Sequence, residues 1–126
     1  MFDLDKLQQM STSKTFPKGT IIVEEGKAAP YSMYIILSGS AAVYKDFRGR
    51  SERQLATLKP GSFFGEMSLF LQVPRTATVV TQESTVVLEI DQLSSVEIFS
   101  QNPGLAMHIM QVQCARSEEN KHVDDI

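Results

Sequence analysis

The sequence predicts a mainly β fold, an antiparallel β-roll of the double-stranded β-helix or jelly-roll type, with one short inserted helix and further helices at the C-terminal end. Three observations predict it. Short runs of β-branched and aromatic residues recur between residues 12 and 90, turns containing glycine separate them, and no long helical pattern intervenes. Such strands pair as hairpins, and enough of them follow one another to close into a roll rather than a parallel sheet.

Six runs have the length and composition of strands. They are residues 20–23, 33–37, 41–44, 54–58, 77–80 and 85–90. The connections carry residues that favour turns, namely Pro17-Lys18-Gly19, Ser38-Gly39, Phe47-Arg48-Gly49 and Pro60-Gly61. Proline fixes φ and glycine accepts a positive φ, so these connections indicate hairpins.

The pattern changes after residue 90, where the apolar residues no longer alternate. The segment Ser94-Ser95-Val96-Glu97 has the spacing of a capping box, which predicts that a helix starts there. Asn102-Pro103 supplies a cap residue followed by proline, which predicts a second helix that runs to about Arg116. Leu105, Ile109 and Val112 should form one face of it. Residues 3–10 could form a short N-terminal helix.

Length and composition favour one globular domain. The chain of 126 residues is long enough for one sizeable core, and its apolar share of 42% and charged share of 21% are ordinary for such domains. We predict a single domain over residues 1–126, divided into an N-terminal helical segment (1–11), the β-roll (12–90), and C-terminal helices with a tail (91–126).

Charge and cysteine content exclude several classes of function. A net charge of −3 offers no basic face for nucleic acid, so we expect no direct binding to DNA or RNA. Cys114 is the only cysteine, so an intrachain disulfide is excluded, and a reducing compartment such as the cytoplasm fits best. No apolar run approaches the roughly 18 to 20 residues that span a bilayer, and the N-terminus does not resemble a secretory signal. We therefore expect a cytoplasmic protein that does not bind membranes.

The segment from residue 61 to residue 79 interrupts the β pattern and carries the chemistry. Residues 66–71 have the character of one or two helical turns preceded by Gly65. A helix N-terminus offers free N–H groups and a partial positive charge, which suit a phosphate. Arg75 follows just before a strand, where its planar guanidinium could bind the same anion through two donors.

This segment resembles the phosphate-binding cassette of cyclic-nucleotide-binding domains. That cassette contains Phe-Gly-Glu followed by Arg-x-Ala-x-Val, and this chain has Phe64-Gly65-Glu66 and then Arg75-Thr76-Ala77-Thr78-Val79. The family includes the catabolite activator protein, regulatory subunits of cyclic-nucleotide-dependent kinases, and gated channels. Upstream, residues 34–39 resemble the family's central strand and turn, and residues 58–66 lead into the cassette as in the family. The resemblance therefore covers nearly the whole chain.

The resemblance implies a sensor that binds a cyclic mononucleotide, with cAMP placed slightly ahead of cGMP. It implies that Arg75 pairs with the cyclic phosphate and that Glu66 accepts the ribose 2′-hydroxyl. The hydroxyl of Thr76 is associated in some members with the guanine 2-amino group, and otherwise with the phosphate. The ligand-binding residues implied are Gly65, Glu66, Met67, Ser68, Arg75, Thr76 and Ala77, with N–H groups near Met67, Ser68 and Ala77 facing the phosphate.

Plainer interpretations of the same residues stay open. Arg75 could be a solvated surface arginine, and Glu66 a carboxylate that merely favours the helix dipole. The aromatic residues are assigned structural roles without ligand contact. Phe63, Phe64 and Phe70 are expected in the core with Leu69, while Tyr31, Tyr34 and Tyr44 are expected in strands with their hydroxyls at the rim.

Two other classes of function fit the sequence less well. A cupin enzyme needs a cluster of metal-binding histidines, but His108 and His122 both lie outside the predicted barrel. Nucleophilic catalysis lacks a base near the cassette, so we expect no enzyme activity, no catalytic residue, no metal and no cofactor. The remaining alternative is an interaction module that keeps the roll without binding nucleotide.

The output of the sensor is expected to pass through the second C-terminal helix. Its several apolar residues could contact an effector protein or a second copy of the chain, forming a homodimer. A DNA-binding helix-turn-helix would have to follow this helix, and the chain ends before one could form.

Overall fold

The computed structural model describes residues 4–28 and 30–119. Over these residues the chain forms α1 (Leu4–Met10), β1 (Thr12–Phe16), β2 (Ile21–Val23), β3 (Met33–Ser38), β4 (Ala41–Lys45), β5 (Arg53–Leu58), β6 (Phe63–Phe64), α2 (Glu66–Leu71), β7 (Thr78–Thr81), β8 (Thr85–Ile90), α3 (Gln92–Gln101) and α4 (Pro103–Glu119). The six predicted strands are all present, within one or two residues at each end. The inserted helix and the three other helices are present as well.

The strands form two four-stranded sheets that face each other. One has the order β1-β8-β3-β6 and the other the order β2-β7-β4-β5, with antiparallel neighbours throughout. Two folded-over sheets of this kind form the predicted β-roll, so the fold class is confirmed. Strand β3 is central in its sheet because it pairs with both β8 and β6.

Two hydrophobic cores lie on opposite faces of the β1-β8-β3-β6 sheet. Alternation along β3 sends Met33 and Ile35 into a core shared with the helices, and Tyr34 and Ile36 into a core between the sheets. Phe63 and Phe64 divide in the same way. The first core also contains Leu7, Leu69, Leu88, Ile90, Ile98, Leu105 and Ile109, and the second contains Val23, Ala41, Val43, Leu58, Ala77, Val79 and Val87. The sheet is therefore buried on both faces beside the cassette.

Two strands were not predicted. Strand β1 has the sequence Thr-Ser-Lys-Thr-Phe, and its first four residues are exposed because it lies at the edge of its sheet. An edge strand buries little, so its sequence lacks apolar alternation. Strand β6 has only two residues, too few for any periodicity.

The start of α3 was predicted wrongly. The helix begins at Gln92 rather than near Ser94, because Asp91 is the N-cap and its side chain accepts a 2.8 Å hydrogen bond from the Ser94 N–H. Aspartate caps a helix at least as well as serine, and Asp91 follows β8 directly. This hydrogen bond also lowers the pKa of Asp91.

The second C-terminal helix starts at Pro103 as predicted, and it runs to Glu119, beyond the expected end near Arg116. Leu105 and Ile109 are buried and Val112 packs against them, which confirms the predicted face. Asn102 is buried at the end of α3, and its side chain donates to the Ile98 carbonyl of that helix at 2.8 Å. Most of the predicted tail, residues 120–126, lies outside the described residues.

Phe70 was expected in the core, but it is 51% exposed. It lies on the outer side of α2, where its ring contacts Phe99 of α3 with a centroid distance of 5.5 Å. Phe63, Phe64 and Leu69 are buried as expected.

Candidate functional site

The cassette residues meet at one pocket. It opens to solvent and is lined by Val23, Phe64, Gly65, Met67, Ser68, Pro74, Arg75, Thr76, Ala77 and Val79. Six of the seven predicted ligand-binding residues are in this lining. The seventh, Glu66, lies at the start of α2 with its side chain 1% exposed, and it does not line the pocket. The apolar members Val23, Phe64, Pro74 and Val79 were not predicted, because strand and loop residues of this kind carry no local signal of a ligand. Phe64 was expected in the core without ligand contact, but it is both buried and part of the pocket lining.

Arg75 is buried against backbone carbonyls. Its exposed fraction is 6%, which excludes the interpretation as a solvated surface arginine. Nη1 donates to the carbonyls of Ser32 at 2.8 Å and Gly65 at 3.4 Å, and Nη2 donates to the carbonyl of Pro30. A guanidinium has five N–H donors. These contacts with the described residues use three of them, and the other two are the Nε–H and one N–H of Nη2.

The backbone of Arg75 is also fixed in place. Its N–H donates to the carbonyl of Lys27 at 2.9 Å, and its carbonyl accepts from the N–H of Gly26 at 2.9 Å. The turn before β3 and the residues before β7 are thereby joined by both main-chain and side-chain hydrogen bonds. The position of the guanidinium thus depends on a loop more than forty residues upstream, since Ser32 and Arg75 are 43 positions apart.

Gly65 allows Arg75 to occupy this position. It has a positive φ of 84°, a conformation that glycine adopts without strain. A Cβ atom at this residue would lie 2.6 Å from Nη1 of Arg75 and 2.9 Å from the carbonyl oxygen of Ser32. Both the backbone conformation and the close approach therefore require glycine here.

Helix α2 contributes backbone donors beside the guanidinium. Gly65 is its N-cap and provides no side-chain hydrogen bond, so the N–H groups of the first turn are not capped from within the helix. These N–H groups belong to Glu66, Met67 and Ser68. The hydroxyl of Ser68 donates to the carbonyl of Val73 at 2.9 Å, which holds the chain that leads from the helix to Arg75.

The charges around Arg75 are arranged to tolerate its burial. Burial lowers the pKa of Arg75, while electrostatic interactions with Tyr34, Glu89 and Glu66 oppose that lowering. A buried cation is costly unless anions or hydrogen-bond acceptors surround it. The guanidinium therefore remains charged, and its free donors can bind an anion that enters the pocket.

Tyr34 was predicted at the rim, but it is 4% exposed and lies in the core between the sheets. Its hydroxyl donates to Oε2 of Glu89 at 3.1 Å, and burial together with Glu89 raises the pKa of Tyr34 far above its ordinary value. Glu89 also pairs with Lys14 at 2.5 Å. Burial alone would raise the pKa of Glu89, but hydrogen bonds from Lys14, Ser32 and Tyr34 lower it overall. Only pairing between distant strands creates this group of residues.

Two features are absent from the part of the chain that the structure describes. None of its helices combines the length and apolar character needed to cross a bilayer. Nor do three or more of its histidine, cysteine, aspartate or glutamate side chains come together in an arrangement that could hold a metal ion.

Comparison with known proteins agrees with this geometry. The cyclic nucleotide-binding domain family matches residues 13–102. The chain is 29% identical over 106 residues to the cyclic AMP receptor protein of Thermus thermophilus, a match that covers 84% of this chain and 49% of that protein. It is 38% identical over 81 residues to a cAMP-dependent protein kinase regulatory subunit of Yarrowia lipolytica, covering 64% of this chain and 20% of the relative.

Among solved structures, the catabolite activator protein of Thermus thermophilus superposes with a TM-score of 0.83 at 27% identity, covering 94% of this chain and 55% of that one. The chain thus spans about half the length of its bacterial relative, and less of the kinase subunit. The family match covers well over half of this chain and includes both the cassette and the two sheets. The chain therefore belongs to the cyclic nucleotide-binding domain family.

Proposed function

We propose that this chain is a regulatory domain that binds a cyclic mononucleotide, with cAMP ahead of cGMP. The observation that carries the proposal is Arg75, a buried cation that faces a pocket and retains two N–H donors after its three contacts with carbonyls. A phosphate diester is a monoanion with oxygens that match a forked pair of donors. The first-turn N–H groups of α2 would supply further donors to the same phosphate.

The sugar and base would contact groups in and beside the pocket. Glu66, which lies beside the pocket lining, would accept the ribose 2′-hydroxyl, and its proximity to Arg75 offsets the cost of its burial. Val23, Met67 and Val79 would provide an apolar wall for the flat faces of the ligand. The hydroxyl of Thr76 lines the pocket as well, where it could donate to the phosphate or contact a guanine.

Calorimetry tests the proposal directly. Titration with cAMP and with cGMP should give saturable binding, while the open-chain 5′-AMP should bind far more weakly, because its dianionic phosphate has a different shape. Absence of binding by both cyclic nucleotides would overturn the proposal. It would leave the alternative, a nucleotide-independent interaction module on the same fold.

The role of Glu66 predicts selectivity for ribose. The protein should bind 2′-deoxy-cAMP more weakly than cAMP by about 1 to 3 kcal/mol, because the buried carboxylate of Glu66 would lose its hydrogen-bond donor. The matched measurement uses Glu66→Gln, in which the preference for cAMP over 2′-deoxy-cAMP should shrink. Equal affinity of the unaltered protein for the two ligands would refute this role.

We propose further that α4 transmits binding to an effector protein or to a second copy of the chain. One face of this helix packs in the core through Leu105 and Ile109. Met107 and Met110 point outward, with exposed fractions of 56% and 62%. Methionine adapts its shape at little cost, which suits a surface that changes partners.

Hydrogen exchange measures whether α4 responds to ligand. When cAMP is added, amides of residues 104–116 should gain more protection than those of β5, which lies at the far edge of the second sheet. A ligand can shift the helix only if it binds the two arrangements with different affinity. Protection confined to residues 65–77 would show that the signal leaves by another surface.

The same proposal describes a cytoplasmic, non-catalytic protein that needs no cofactor. A single cysteine in the whole sequence is consistent with a reducing compartment. The net charge of −3 argues that this domain itself does not bind nucleic acid, whatever output it controls.

A further inference from the structure

Tyr34 interacts with both the guanidinium of Arg75 and the ring of Phe64. The Cζ atom of Arg75 is 5.9 Å from the centroid of the Tyr34 ring, within the range in which a cation is attracted to an aromatic face. On Phe64 the ring is stacked, with a centroid distance of 5.1 Å and an interplanar angle of 21°. The aromatic pair therefore forms a platform for Arg75.

The platform is anchored at its other end. Tyr34 and Glu89 are paired directly across β3 and β8, and the hydroxyl of Tyr34 donates to the carboxylate. Glu89 is in turn paired with Lys14 of β1, with side-chain exposures of 12% and 47%. A continuous series of contacts thus runs from an exposed lysine on an edge strand to the guanidinium in the pocket.

We propose that Tyr34 is a positioning residue for Arg75, and that Glu89 and Lys14 hold Tyr34 in the orientation this requires. The carbonyls of Pro30, Ser32 and Gly65 accept hydrogen bonds from the edges of the guanidinium. The ring of Tyr34 adds a contact of a different kind, because its aromatic face lies within reach of the guanidinium cation. Arginine has considerable rotamer freedom, and fixing it before the ligand arrives removes that cost from binding.

The first test uses the ligand-free protein and needs no nucleotide. The Arg75 Nε–H signal in an NMR relaxation experiment should have an order parameter near that of rigid groups, about 0.85, and should fall below about 0.6 in Tyr34→Leu. Tyr34→Phe keeps the ring but loses the hydrogen bond to Glu89, so its order parameter should fall between the other two values. An Arg75 signal equally ordered in Tyr34→Leu, with the fold intact by its amide spectrum, would overturn the proposal.

The second test measures cAMP affinity by calorimetry and rests on the proposed function. Tyr34→Leu should weaken binding about 10-fold, and Lys14→Ala about 2- to 3-fold. Lys14→Arg should restore the affinity because it keeps the ion pair. Lys18→Ala is the matched control, since it removes an equal charge from an exposed neighbouring lysine and should change nothing.

The Lys14 variants alter an exposed edge residue, so they keep the proposal testable if Tyr34→Leu fails to fold. Equal weakening by Lys14→Ala and Lys18→Ala would contradict the anchoring of Tyr34. Failure of the unaltered protein to bind any cyclic nucleotide, with Arg75 ordered as expected, would refute the proposed function and leave the positioning role standing. Normal cAMP binding by all Tyr34 and Lys14 variants would refute the positioning role and leave the proposed function standing.

Discussion

Replacing Arg75 with alanine should abolish measurable binding of cyclic nucleotide while the domain stays folded. Loss of one partner from a desolvated, hydrogen-bonded charge pair costs about 2 to 5 kcal/mol, which is roughly a 30- to 5,000-fold loss of affinity. Neither hydrophobic core includes Arg75, so the sheets should persist. Calorimetry with cAMP, together with circular dichroism of the variant, measures both effects.

Two further variants sharpen this result. Arg50→Ala removes the same charge from an exposed position in the β4–β5 turn and should leave the affinity unchanged. Arg75→Lys keeps the charge but not the planar fork, so its affinity should fall between those of the original protein and the alanine variant. If Arg75→Ala binds cAMP as tightly as the original protein, Arg75 does not hold the phosphate.

Replacing Gly65 with alanine should also weaken binding of the phosphate, because the added methyl group would displace the guanidinium of Arg75. The new Cβ would lie 2.6 Å from Nη1, so the guanidinium must move, and affinity for cAMP should fall about 30-fold or more, corresponding to roughly 2 kcal/mol. The positive φ of 84° adds a strain of about 1 to 2 kcal/mol to the folded state. Calorimetry measures the first effect and urea unfolding measures the second.

Gly61→Ala separates strain from steric contact. Gly61 also has a positive φ, of 92°, but an added Cβ would meet nothing within 4 Å. This variant should therefore lose stability like Gly65→Ala and keep its affinity. Comparable losses of affinity in both variants would show that Gly65 affects the pocket only through general stability.

Local patterns in the sequence predicted the cassette. The glycine before α2, the acid at its first position and the arginine nine positions later occur within one short segment, and all three lie at or beside the pocket. Turn residues such as Pro60-Gly61 predicted the hairpins because their backbone preferences act locally. The same local reasoning gave the wrong start for α3. Both Asp91 and Ser94 can cap a helix, and the structure uses Asp91, which directly follows β8.

The groups that hold Arg75 could not be predicted from the sequence. Tyr34 is one of a run of apolar and aromatic residues in β3, and nothing in that run distinguishes it from the others. Only the pairing of β3 with β8 brings its hydroxyl to Glu89. The carbonyls of Pro30 and Ser32 carry no side-chain signal at all. Phe70 was misassigned because a helix of six residues has an outer face that apolar composition alone does not reveal.

The pairing of β1 with β8 also governs the order in which this chain can fold. Thr12 of β1 pairs with Glu89 of β8, so β1 can join its sheet only after β8 has been synthesised. Arg75 and Ser32 must close a separation of 43 positions, and Tyr34 and Glu89 one of 55. Folds dominated by such distant contacts typically reach the native state in about milliseconds to seconds, because loop entropy is lost before the contacts form. On the ribosome, the contacts of Glu89 with Tyr34 and Lys14 can therefore form only after β8 has emerged, when the whole cassette is already outside.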